Sequence, residues 1–96
     1  MTGLTIPENV GSRQQAKELL MQLPAGLGQT VVSLDCGQLL VATPSFFDEI
    51  VKQVLVERDA KRLDLLNASP RARTLAERSA HNRGVSDRLT FPAVAV

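Results

Sequence analysis

The sequence predicts a small α/β domain, a mixed but mostly parallel β-sheet packed by three helices. Three observations carry that expectation. Short β-branched or leucine-rich runs alternate with amphipathic stretches, which implies βαβ units with right-handed crossovers. Each helical stretch opens on a capping signal. The length, 96 residues, suits one domain with one core and little stability to spare.

Taken in order, "GLTI" (3–6) is a candidate strand closed by Pro7 and the turn-like "PENVG". Ser12 and Gln15 then form a capping box, S-x-x-Q, in which each side chain satisfies a free backbone N–H. Ala16, Leu19, Leu20 and Leu23 follow as one apolar stripe, and Pro24 stops the helix. "TVVSLDC" (30–36) is the next strand. Its run of Val31, Val32 and Leu34 does not alternate cleanly, which suits a strand covered on both faces. "LLVA" (39–42) either extends the sheet or leads straight into the second helix. That helix begins near Pro44, with Phe46, Phe47, Ile50, Val51, Val54 and Leu55 on one side and Asp48, Glu49, Lys52 and Gln53 on the other.

"RLDLLN" (62–67) is a further strand. Ser69 as N-cap and Pro70 as first helical residue open a third helix, whose inner face is Ala72, Leu75, Ala76 and Ala80. Asn82 and Gly84 are its end signals. Residues 85–96 read as an edge strand or a loosely packed tail, since Pro92 argues against a central strand. Residues 1–96 thus form a single domain. In sheets of this kind, binding surfaces lie at the carboxyl ends of strands, which makes the loops 7–12, 36–45 and 67–70 the ones of interest.

Composition narrows the function. The only aromatic residues are three Phe, so base or sugar stacking on aromatic platforms is not expected. The net charge of +1 is too small to mark a nucleic-acid or membrane surface. Residues 1–56 carry three Lys/Arg against five Asp/Glu, and residues 57–96 carry eight against five. A single Cys excludes an internal disulfide, and no apolar run is long enough to span a membrane. With no signal-peptide pattern at the N-terminus, a cytoplasmic protein is expected.

The best candidate chemistry lies between Asp35 and Ser45. Pro44 biases Thr43 away from the α region and suits the first helical turn. Thr43 is then the N-cap and Ser45 the second helical residue, near free backbone N–H groups at the positive end of the helix dipole. A phosphate there would be stabilised by both. The plain alternative makes Ser45 one more residue of a helix start. A second feature is Arg71 and Arg73 in or near the first turn of the third helix, where positive charge opposes the dipole. With Arg78 they could serve an anionic small molecule or an acidic protein. Equally they could be solvated, with Arg73 paired to Glu77. Cys36 reads as a small buried hydrophobe, and His81 is the lone histidine. No phosphate-binding loop, dinucleotide fingerprint or metal-ligand spacing is present, so neither a cofactor nor a metal is expected.

The segment "VVSLDCGQLLVATPSFFDEIVKQVL…KRLDLLNASPRARTLAERS" resembles a STAS domain, the fold of anti-sigma-factor antagonists. "SFFDEI" followed by "LDLLNASP" is more closely similar to a compact STAS-like family of uncharacterised function. The resemblance covers about residues 30–84. In STAS domains a strand ends in Asp, a short loop follows, and a D-S-S-G motif opens the next helix. The second Ser of that motif is phosphorylated by a partner kinase. Counted from Asp35, the motif falls on Thr43, Pro44, Ser45 and Phe46, which places Ser45 at the phosphoacceptor position. Here Thr43 stands for the motif's Asp, Pro44 for its first Ser and Phe46 for its Gly. The resemblance implies a non-enzymatic interaction module whose partner is an ATP-binding serine kinase or an anti-sigma factor. Asp35, Thr43, Pro44, Ser45, Phe46, Asp48 and Glu49 would face that partner, and a phosphate beside Asp48 and Glu49 would release it by repulsion.

Overall fold

The computed structural model describes residues 2–92. In chain order the elements are β1 (Thr2–Thr5), β2 (Asn9–Val10), α1 (Arg13–Leu20), β3 (Val31–Asp35), β4 (Val41–Ala42), α2 (Pro44–Val51), β5 (Arg62–Leu66), α3 (Pro70–Asn82) and β6 (Leu89–Thr90). A π-helical segment, Lys52–Glu57, prolongs α2, and a 3₁₀ turn, Ser86–Arg88, precedes β6. The main sheet has the order β1-β3-β5-β6 with every pairing parallel. This is the small α/β architecture expected from the alternation of strands and helices.

Each crossover moves one place in the same direction across the sheet. Right-handed crossovers then put all three helices on one face, in accord with the packing of α2 against both α1 and α3. The register shows what each face holds. One row across the sheet is Leu4, Leu34 and Leu65, and another is Val32, Leu63 and Leu89. All but Leu4 of these are buried. The alternate row is Gly3, Ser33, Asp64 and Thr90. β3 is buried through Val32, Ser33 and Leu34, as expected of a strand covered on both faces, although the helices all lie on one of them. Asp64 on the second face is nonetheless buried, and it accepts hydrogen bonds from the Arg62 guanidinium and the Thr90 hydroxyl.

The caps form as the sequence directs. Ser12 accepts from Gln15 N while the Gln15 side chain accepts from Ser12 N, the full capping box. Ser69 accepts from Ala72 N, with Pro70 as first helical residue. Gly84, at φ +71, follows the end of α3 in the left-handed conformation that glycine adopts without strain. The apolar stripe of α2 is wholly buried from Phe46 to Leu55, with the rings of Phe46 and Phe47 meeting edge to face. Leu23 is buried beyond the end of α1, where Arg58 Nη1 donates to the carbonyls of Leu20 and Leu23.

The "LLVA" stretch does not join the main sheet. Its last two residues form β4, which pairs in parallel with β2 as a separate two-stranded ribbon. The C-terminal run gives a two-residue strand, β6, at the sheet edge, with Leu89 buried. The rest of the expected tail, residues 93–96, lies outside the described residues. No helix among the described residues is long and apolar enough to cross a membrane.

Candidate functional site at the start of the second helix

The loops at the carboxyl ends of the strands are drawn together by three ties. The β2–β4 ribbon joins the loop after β1 to the loop after β3. Thr43 Oγ1 donates to the Gly11 carbonyl across 3.0 Å, fixing the entry of α2 against the entry of α1. Asp35, at the end of β3, accepts from Gly37 N at 2.8 Å and from Asn67 Nδ2 at 3.1 Å. The Asn67 side chain, helped by the Gly37 N–H, holds the Asp35 carboxyl below the usual carboxylate range. Asn67 has φ 56, a left-handed conformation that asparagine tolerates better than most residues.

Within this frame the N-terminus of α2 has the expected register. Thr43 is the N-cap, with extended backbone and a side chain that accepts from Phe46 N at 3.3 Å, and Pro44 is the first helical residue. Ser45 is then the second. It is half-buried, and its hydroxyl makes no hydrogen bond among the described residues. It lines a cleft of about 300 Å³ together with Arg13 from α1, Asp48 from α2, and Leu75, Arg78 and Asn82 from α3.

Asp48 is the electrostatic centre of this region. Arg83 Nε and Nη2 contact its two carboxylate oxygens at 2.9 and 2.8 Å, Arg13 Nη1 reaches it at 2.8 Å, and Ser79 Oγ donates to it at 2.7 Å. The Arg83 bonds, opposed by burial and reinforced by Arg13 and Ser79, hold the Asp48 carboxyl well below its ordinary range. Its neighbour Glu49 is only 1% exposed. Burial disfavours the Glu49 charge. The hydrogen bonds from Gln53 and Arg13 and the charges of Lys52 and Lys17 outweigh that effect, so its carboxyl also titrates below the usual range.

These positions revise the surface anticipated from sequence. Phe46 and Glu49 are buried and offer nothing to a partner, because Glu49 turns under Arg13 rather than out to solvent. Asp48 is occupied by α1 and α3 rather than open to a partner. Asp35 braces the loops. Thr43 and Pro44 set the helix start, and Ser45 is left at the surface of the cleft. The three arginines of the anion-site reading diverge. Arg71 and Arg78 line one shallow groove with Thr74, while the Arg73 guanidinium lies 4.7 Å from the Phe91 ring centroid. No Arg73–Glu77 ion pair forms among the described residues.

Two features went unread in the sequence. Leu40 and Val41, in the loop leading to Thr43, are 76% and 56% exposed. The sequence left "LLVA" either extending the sheet or leading into the second helix, and neither reading marks Leu40 and Val41 as exposed. Arg13 and Arg83 were not singled out, since their meeting at Asp48 joins residues 35 apart in each direction along the chain. Cys36 is buried, and burial pushes its thiol up to about 11. His81 lines a groove with Glu77 and Phe91 that includes neither Cys36 nor Asp35.

No protein-family model, curated protein or solved structure matches this chain.

Proposed function

We propose that this domain is a non-enzymatic protein-interaction module of the anti-sigma-factor-antagonist type. It would work in the cytoplasm and present the loop after β3 and the start of α2 to a partner. The partner class is an ATP-binding serine kinase or an anti-sigma factor, and Ser45 is the phosphoacceptor or contact residue. One observation carries the reading. Thr43 alone supplies the N-cap, so the Ser45 hydroxyl remains unbonded in the cleft wall, at the positive end of the α2 dipole. The exposed pair Leu40 and Val41 on the same connection adds apolar area of the kind a protein partner covers.

The competing assignment, an anion site on Arg71, Arg73 and Arg78, loses support because Arg73 is directed to Phe91 and away from the other two. The module reading is tested by incubating the domain with a candidate kinase and ATP and locating phosphate by mass spectrometry. Phosphate on Ser45, or loss of partner binding in Ser45→Asp, supports it. No modification, together with unchanged partner binding by Ser45→Asp, rejects it.

A further inference from the structure

Ser45, Asp48 and Glu49 occupy positions i, i+3 and i+4 of α2 and so share one side of that helix. From sequence alone, a phosphate on Ser45 meets two carboxylates and is repelled. The fold reverses that balance. Arg13 arrives from α1 within 2.8 Å of Asp48 and 3.4 Å of Glu49, and Arg83 holds Asp48 from the end of α3. Arg78 lines the same cleft as Ser45 and has no hydrogen bond or ion pair among the described residues. Two guanidinium groups therefore hold the carboxylates, and a third, that of Arg78, lines the same cleft uncommitted. Lys52, 3.9 Å from Glu49, adds positive charge on the far side.

We propose that this cleft is a built-in receptor for a phosphate monoester on Ser45, with Arg78 as its principal partner and Arg13 as the second. The inference rests on the reading of Ser45 as a phosphoacceptor. In the modification step the Ser45 Oγ attacks the γ-phosphorus of ATP. The Oγ–P bond forms, the bond to the ADP oxygen breaks, and the hydroxyl proton passes to a base on the kinase. The product dianion adds three strong acceptor oxygens beside Arg78 and at the positive end of the α2 dipole. Phosphate then draws α2 and α3 together across the cleft rather than forcing its surroundings apart. The surface offered to a partner changes because the cleft fills, which differs from the release by repulsion that the sequence implied.

The test places phosphoserine at position 45 of the full chain by genetic encoding, with no kinase involved. Its second ionisation is followed by phosphorus-31 NMR against a phosphopeptide of residues 41–49. The expected result is a value lower than the peptide's by about half a unit or more, with most of that shift lost in Arg78→Ala. Arg78 is exposed and unpaired, so this variant leaves the fold intact. A value equal to or above the peptide's, or one that Arg78→Ala leaves unchanged, overturns the receptor. A failed kinase and partner-binding assay sinks the proposed function, while an insensitive phosphorus titration sinks the receptor alone.

Discussion

Arg83, at the end of α3, grips Asp48 of α2 with two parallel bonds, Nε at 2.9 Å and Nη2 at 2.8 Å. Because Arg13 of α1 and Ser79 of α3 bind the same carboxylate, one side chain joins all three helices. The geometry is bidentate and partly shielded, which separates it from ordinary surface pairs of little worth.

Asp48→Asn should therefore cost about 1–3 kcal/mol at neutral pH, measured by urea unfolding. The pH dependence has a definite sign. The folded carboxyl titrates below its unfolded value, so its contribution is complete above about pH 4 and is lost as pH falls toward the folded value. The parent protein should lose stability between about pH 4 and pH 2 more steeply than Asp48→Asn does. Equal slopes would show that the pair makes no net contribution.

Thr43 and Ser45 make a matched pair of substitutions. Thr43→Ala removes the N-cap of α2 and the bond to Gly11, and should destabilise by about 1–2 kcal/mol. Ser45→Ala removes a hydroxyl that bonds nothing among the described residues, and should lie within about 0.5 kcal/mol of the parent. Chemical denaturation of both variants checks the assignment. A larger loss from Ser45→Ala would place the cap on the wrong residue.

Local signals made most of this fold legible. Ser12, Thr43 and Ser69 cap the helices they were expected to cap, since capping depends only on a few neighbouring residues. The stripe from Phe46 to Leu55 is likewise buried as its spacing requires. Misreadings arose where distant chain segments decide the outcome. Glu49 was placed on the solvent side because helical spacing carries no information about Arg13, which lies 36 residues away and covers it. The exposure of Leu40 and Val41 was likewise illegible, because it depends on β4 pairing with the distant two-residue β2 rather than with the main sheet. The cleft around Ser45 was half legible: the serine followed from the proline register, whereas Arg13 and Arg78 enter only when three helices pack together.

Cys36 follows β3 directly and is almost fully buried. Its thiol, raised to about 11 by burial and by the neighbouring Asp35 charge, should resist alkylation at pH 8. Native protein is expected to react about a hundredfold or more slowly than protein in strong denaturant. Comparable rates would mean that the end of β3 opens readily.

Leu40 and Val41 supply the apolar part of the proposed contact surface. The double variant Leu40→Ser, Val41→Thr should keep its stability within about 0.5 kcal/mol, because neither side chain is buried. Its affinity for the partner should fall by about tenfold or more, read by calorimetry or surface binding. Unchanged affinity would remove this pair from the surface.

The central claim, that the loop after β3 and the start of α2 form the partner-binding surface, is tested most directly by site-specific photo-crosslinking in the living cell. A benzophenone amino acid is placed at Leu40 in one variant and at His81, near the end of α3, in another. The expected result is a discrete adduct from position 40, identified by mass spectrometry as an ATP-binding serine kinase or anti-sigma factor, that is absent from position 81. Adducts from position 81 alone, or a partner at position 40 unaffected by Ser45→Asp, would contradict the account.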